Sequence, residues 1–145
     1  MLSTSCKYAL RAAVFLAAHS RQGARAGIRA VSEAIGANEH TTAKILQLLA
    51  REGLIESAKG PNGGFSIPPG GKELFLIDIV RVVDGTGLFT ECGLGLQKCS
   101  DKKPCPIHFS YQAARGQLHQ EFCTHTVQGL ADDLELGKTF LKRNR

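Results

Sequence analysis

Three cysteines and a histidine fall close together in one segment of the chain. The stretch ECGLGLQKCSDKKPCPIH, from Glu91 to His108, places Cys92, Cys99, Cys105 and His108 at the spacing C-x6-C-x5-C-x2-H. Thiolates are soft donors suited to iron–sulfur clusters, zinc or copper(I), and an imidazole supplies a harder fourth donor. Zinc sites more often pair their cysteines as C-x-x-C, a pattern this chain lacks. The residues alone therefore make zinc the weaker choice and leave cluster, copper(I) and thiol redox chemistry open. Cys123 reads as a small buried hydrophobe, and His19, His119 and His125 as ordinary surface or helix residues. Five cysteines in a chain without secretory features argue against a disulfide framework.

A second group of side chains points to a different partner. His40, Lys44, Gln47 and Arg51 recur at intervals of 4, 3 and 4, so on a helix they share one narrow stripe of hydrogen-bond donors. Ala43, Ile45, Leu46, Leu48, Leu49 and Ala50 take the broad apolar arc of that helix. Lys59 and Asn62 follow in the glycine-rich segment KGPNGGF. The net charge of +5 is one-sided: residues 1–72 hold nine Lys/Arg against four Asp/Glu, and residues 73–145 hold nine of each. Neutralisation of phosphates by such cations supplies most of the affinity of proteins for nucleic acid. A solvated basic surface would have the same charge, and the elements around the stripe decide between the two.

Those elements read as follows. A first helix spans about Thr4 to His19, capped by Ser3 or Thr4, and is apolar nearly all round, which requires burial on more than one side. A short helix from Ala30 to Ile35 ends at Gly36, and Asn38 caps a second that runs from about Glu39 to Arg51 and closes at Gly53. Two helices joined by a short turn containing glycine form a helix-turn-helix. Leu54 to Ala58 and Phe65 to Ile67 make two strands around a Gly60–Gly64 turn, with Asn-Gly-Gly suited to positive φ. Lys59, at the base of this wing, is placed to lay a cation beside phosphate or into the minor groove. Pro68 to Gly71 marks a break, after which Leu76, Ile79, Val80 and Val83 repeat at helical spacing. Ile107, Tyr111, Ala114, Leu118 and Phe122 then outline an apolar seam on a long helix, suited to dimer contact or to packing within the chain. A last helix, Val127 to Leu136, leads to the basic tail KRNR.

The expected fold class is mainly α with a small β wing: a winged helix-turn-helix in residues 1–72, and a sensor loop (about 88–106) with dimerisation helices in residues 73–145. No apolar run approaches the roughly 20 residues that span a bilayer. Lys7 and Arg11 are interleaved with the apolar residues of the N-terminal segment, which makes it a buried helix rather than a signal peptide. A cytoplasmic location without membrane partners is expected. Catalysis is not: there is no nucleophile–base constellation, no paired carboxylates, and Gly60–Gly64 lacks the Lys-Ser/Thr of a phosphate loop.

Taken in order, YALRA (Tyr8 to Ala12), LAREGLIES (Leu49 to Ser57), KGPNGGF (Lys59 to Phe65), LIDIVRVVDG (Leu76 to Gly85) and the three-cysteine loop resemble the Rrf2 family of bacterial winged-helix regulators, the IscR/NsrR/CymR group. The resemblance covers almost the whole chain. It implies a homodimer in which the long helix crosses that of its partner, reading double-stranded DNA at an imperfect palindrome. By position it puts base readout on His40, Thr41, Ala43 and Lys44 and the minor-groove cation on Lys59. Ala43 stands where the iron–sulfur regulators place an acidic residue, so their operator does not transfer. The Cys105–His108 spacing resembles the IscR type, which implies a 2Fe-2S cluster on Cys92, Cys99, Cys105 and His108, with a first gap one residue longer. NsrR-like members take a fourth ligand from an acidic residue of the partner, at the position of Lys7 here. A cationic lysine cannot ligate, which leaves neighbouring Cys6 as the alternative fourth ligand and a 4Fe-4S cluster as the alternative type. Some members hold no cluster. The implied function is a transcription regulator sensing iron–sulfur, redox or nitric oxide status. The alternatives are a cluster-free thiol sensor and a small iron–sulfur or thiol redox protein whose winged helix serves partner binding.

Overall fold

Alanine spacing sets the centre of the molecule. In the computed structural model, which describes residues 1–142, α1 (Thr4–Ser20) carries Cys6, Ala9, Ala12, Ala13, Leu16 and Ala17 on buried positions. Small side chains let other helices approach α1 closely from several directions, as the all-round apolar pattern requires. Ser3 caps it: its hydroxyl accepts from the Cys6 N–H at 3.0 Å. The last three residues of the KRNR tail, 143–145, lie outside the described residues.

Helices α2 (Ile28–Ile35) and α3 (Glu39–Arg51) form the helix-turn-helix. Gly36 turns the chain at φ 72°, and Asn38 Oδ1 accepts from the Thr41 N–H at 2.8 Å. Arg11 of α1 caps the end of α2 by donating to the Ile35 carbonyl at 2.8 Å. Ile45, Leu46 and Leu49 point α3 into the core, joined by fully buried Thr42, whose hydroxyl is satisfied by the Asn38 carbonyl at 2.8 Å. Thr42 shares the apolar arc although it is polar, because its hydroxyl finds a local acceptor and leaves its methyl free to pack.

The wing is shorter than the hydrophobic pattern suggests. Strands β1 (Glu56–Ala58) and β2 (Gly64–Ser66) pair antiparallel, with Ser57 opposite Phe65. Ile55 and Ile67 lie beyond the ladder as buried core residues. Ala26 and Phe65 exchange backbone bonds of 2.9 and 2.8 Å, so the segment before α2 fastens the wing from the other side. Positive φ falls on Gly60 (99°) and Gly64 (131°), not on Asn62 or Gly63. Gly63 is required for a different reason: a Cβ there would stand 2.4 Å from the Ala58 carbonyl oxygen.

Beyond the wing, α4 (Leu76–Val83) buries Ile77, Ile79 and Val80, and Asp78 Oδ2 accepts from the Phe75 N–H at 2.9 Å to cap it. A single turn, α5 (Gly87–Thr90), leads into the cysteine loop, followed by α6 (His108–Thr124) and α7 (Val127–Glu135). The chain then returns: α7 docks on α1, and Val127 and Ala131 enter the same core as Leu16, Leu46 and Ile79. Arg21 secures this return, reaching Asp132 at 2.6 Å, Glu135 at 2.7 Å and the Gln128 carbonyl at 2.9 Å.

The seam on α6 divides in two. Tyr111 and Phe122 are half-buried against their own chain, Phe122 with its ring 5.8 Å from that of Phe89. Ile107, Ala114 and Leu118 remain exposed, Leu118 at 38 %. The buried positions of α6 are instead polar, His108 and Arg115, because the cysteine loop folds over that face. Among the described residues no helix is long and apolar enough to cross a membrane.

Candidate functional site

The predicted donor stripe is exposed along its whole length. His40, Lys44, Gln47 and Arg51 all face solvent on α3, opposite the side anchored by Leu46 and Leu49. Thr41 is half-buried at the first turn, with its N–H held by Asn38, and Ala43 is half-buried beside Lys44. Between α3 and the wing lies a concavity of about 490 Å³ lined by Gln47, Ala50, Arg51, Ser57, Ala58, Lys59 and Phe65. The structure thus brings Gln47 and Arg51 together with Lys59, while Asn62 stands exposed in the wing turn.

Cation pairing separates the basic residues of the first half into two kinds. Arg11 is spent on Ile35 and lies 4.7 Å over the Tyr8 ring, Arg21 holds α7, and Arg29 reaches Glu33 at 3.4 Å. Lys44, Arg51 and Lys59 make no ion pair among the described residues. Exposed cations without internal partners around a concavity can meet the phosphates and base edges of a duplex. Arg25 lies in the loop before α2, close enough to the wing that a Cβ at Gly64 would stand 3.3 Å from its own, and it lines a separate concavity with Glu56, Ser66 and Pro68.

The cysteine loop is organised in pairs. Cys99 Sγ lies 3.3 Å from His108 Nδ1, and the Cys105 thiol is among the groups that bear on Cys92. Among the described residues no three His, Cys, Asp or Glu side chains come together as a ready metal-holding group. Backbone N–H groups of Leu96 and Leu94, with Gly95 and the Cys105 thiol, lower the pKa of Cys92. His108 is 4 % exposed, and its Nε2 lies 2.6 Å from Asp101 Oδ1. That hydrogen bond, chiefly, holds the Asp101 carboxyl below the usual carboxylate range. A carboxylate on Nε2 fixes the proton there and turns the Nδ1 lone pair toward Cys99, the arrangement that prepares a histidine as a ligand.

The donor set fits a thiolate-held cluster on these grounds. Three half-buried thiols lie on a loop rich in backbone donors, and an oriented imidazole abuts one of them. Gly93 rests against the Tyr111 ring so closely that a Cβ would meet it at 2.8 Å, which fastens the loop to α6. A cavity of about 420 Å³ opens beside Cys92, lined also by Ser3, Asp84, Glu91 and Tyr111. Cys6 is 0 % exposed within α1, and burial, with Asp84 of that cavity's lining nearby, pushes its thiol up to about 12. Cys123 is half-buried rather than buried, with the His119 ring 3.6 Å from its sulfur.

Asp101 and Arg115 were not singled out from the sequence. Arg115 donates from Nη2 to Cys99 Sγ at 3.2 Å and from Nη1 to the Glu91 carbonyl. The signal available was spacing: Arg115 follows His108 by seven residues, two turns along the same face of one helix.

Comparison with known proteins bears on both regions. Residues 2–133 match the model of the Rrf2 family, described as an iron-dependent transcriptional regulator. Protein aau3 of Rhizobium meliloti is 35 % identical over 130 residues, covering 89 % of this chain and 83 % of that protein. In fold, the chain is similar to T. potens IscR, with a TM-score of 0.72 at 18 % identity over 96 % of this chain and 91 % of the other. It is also similar to CymR, the global cysteine regulator of B. subtilis, with a TM-score of 0.71 at 19 % identity, covering 91 % and 96 % of the two chains.

Proposed function

The chain belongs to the Rrf2 family of transcription regulators, and from that premise we propose that it is a homodimer whose reading heads bind an imperfect DNA palindrome under control of the cysteine loop. It is a regulator rather than an enzyme. The observation that carries the DNA reading is the concavity between α3 and the wing, bordered by Arg51 and Lys59, with Lys44 one turn away and all three cations unpaired among the described residues. In this reading His40, Thr41, Lys44, Gln47 and Arg51 face the major groove, and Lys59 and Asn62 follow the wing to the minor groove. Residues 1–72 supply the reading head, and residues 73–145 the loop and the α6 contact with a second copy. The exposed Ile107, Ala114 and Leu118 support that contact. Such a regulator works beside the chromosome, in the cytoplasm.

For the loop, the proposed ligands of an iron–sulfur cluster are Cys92, Cys99, Cys105 and His108, a set that matches the 2Fe-2S type; a 4Fe-4S cluster would need a different fourth ligand. A bound cluster supplies a redox-labile group able to respond to iron, oxidants or nitric oxide. The protein's own part is to orient His108 through Asp101, to offer backbone N–H groups at Cys92, and to join the loop to α6. The pairing of donors in twos supports a second reading, a cluster-free thiol sensor of the same DNA.

Fluorescence anisotropy with duplex DNA across a salt series tests the output. Affinity that falls steeply with salt is expected, and its absence would defeat the DNA reading. Visible absorption of anaerobically purified protein tests the input: sulfide-to-iron bands lost in Cys92→Ala support the cluster, whereas colourless protein with intact DNA binding favours the thiol sensor. Identical DNA affinity with and without the cluster would remove the coupling between the two.

A further inference from the structure

Arg115 is a buried cation, and neither the DNA surface nor the proposed ligand set accounts for it. It is 7 % exposed at the middle of α6. Nη1 donates to the Glu91 carbonyl, Nη2 donates to Cys99 Sγ at 3.2 Å, and the guanidinium carbon lies 5.4 Å from the centroid of the Tyr111 ring. Nε is buried with no hydrogen-bond partner. Among the described residues no carboxylate pairs with this guanidinium.

Burial of a guanidinium is costly unless an opposite charge compensates it. A carbonyl dipole and an aromatic face compensate only in part. Of the groups that Arg115 touches, the Cys99 sulfur is the one able to carry a full negative charge. Glu91 immediately precedes Cys92, so a single guanidinium also ties the approach to the first loop cysteine to the second.

We propose that Arg115 is the charge partner of the Cys99 sulfur: a positioning residue that compensates the negative charge of that sulfur, and of any anionic group it holds, and so pins residues 91–99 to α6. The cluster arm of this proposal rests on the reading given above; the pinning arm does not. Two ferric ions, two sulfides, three thiolates and a neutral imidazole together carry net negative charge, and reduction adds to it. A fixed cation beside one of those thiolates favours the reduced form. The same cation couples the charge on the loop to α6, the helix whose exposed residues face a second copy in the proposed dimer.

Full-length protein with Arg115→Gln and Arg115→Lys tests both arms. After anaerobic reconstitution, the Gln variant is expected to show a lower reduction potential than the wild type, and the Lys variant to recover most of the difference. Equal potentials in all three would overturn the charge role. In the reduced, cluster-free proteins, hydrogen–deuterium exchange at residues 91–99 should quicken about tenfold in the Gln variant, as loss of a charged hydrogen bond implies, with α1 and α3 unchanged. Unchanged loop exchange would overturn the pinning. Cys99→Ala removes the sulfur while keeping the arginine, and should loosen the same residues; this keeps the pinning decidable if the Gln variant loses protection throughout. Wild-type protein that takes up no chromophore would defeat the cluster reading alone, and the exchange measurements would then decide the role of Arg115.

Discussion

The reading head and the cysteine loop are built on opposite principles. In the head, backbone elements do the positioning: α3 is capped by Asn38, anchored by Leu46 and Leu49, and flanked by a wing fastened through Ala26 and Phe65. Its polar side chains need no internal partners and project outward. In the loop, side chains do the positioning. Cys92 to Cys105 contains no helix or strand, and its order comes from Asp101–His108, His108–Cys99, Arg115–Cys99 and the Gly93–Tyr111 contact. A surface that must fit a regular duplex gains from being pre-formed. A segment that must respond to a chemical change gains from having its order depend on groups that change charge or ligation.

Substitutions can break this contrast or sharpen it. Leu46→Ala should have the largest effect on stability, about 2–5 kcal/mol in a denaturant melt, because a fully buried leucine leaves a cavity between α3 and α1. A small loss would mean that the head is less tightly packed than its burial implies. Lys44→Ala should leave the melt unchanged and weaken duplex binding by about 1–3 kcal/mol if it reaches a base, whereas Lys59→Ala should chiefly flatten the salt dependence. Asn38→Ala removes the cap that orients α3, and should lower stability by about 1 kcal/mol. Cys99→Ala should abolish any visible chromophore and loosen the loop and the Arg115 region of α6, while exchange protection of the core around Leu46 stays unchanged, because the loop lies outside that core.

Cys6 provides the most specific test. Its thiol pKa rises on folding from 9.0 to about 12, so the protonated form is favoured by the fold. The associated stability is fully present below pH 9 and is lost as pH rises through about 12. Thermal melts of wild type and Cys6→Ala between pH 8 and 11 should therefore diverge, the wild type losing stability more steeply on the alkaline side. Parallel curves would mean that Cys6 reaches solvent.

Much of the head was legible because its signals are local. Gly36 and Asn38 end one helix and start the next by their own backbone and side-chain preferences, and α3 keeps the predicted bounds. The stripe from His40 to Arg51 follows from helical geometry alone. The wing is legible as a hairpin, but the apolar pattern overextends its strands: Leu54, Ile55 and Ile67 continue that pattern because they pack in the core, not because they pair. The seam on α6 was legible as a helix but not in its facing. Tyr111 and Phe122 turn to their own chain, because α5 and the loop supply a cover that no periodicity within α6 could reveal.

Sequence alone determined the kinds of chemistry available: a glycine turn, a donor stripe, a basic half, three thiols and a histidine at fixed spacing. Each is a property of neighbours along the chain, where covalent geometry and local hydrogen bonding suffice. Tertiary structure decided which of these groups meet. It spent Arg11 and Arg21 on the fold and left Lys44, Arg51 and Lys59 free of ion pairs among the described residues. It sealed Cys6 into α1, gave His108 its carboxylate, and set Arg115 against the Cys99 sulfur. Burial and charge compensation are settled between residues far apart in the chain, and these contacts exist only once α6 and the loop have closed on each other.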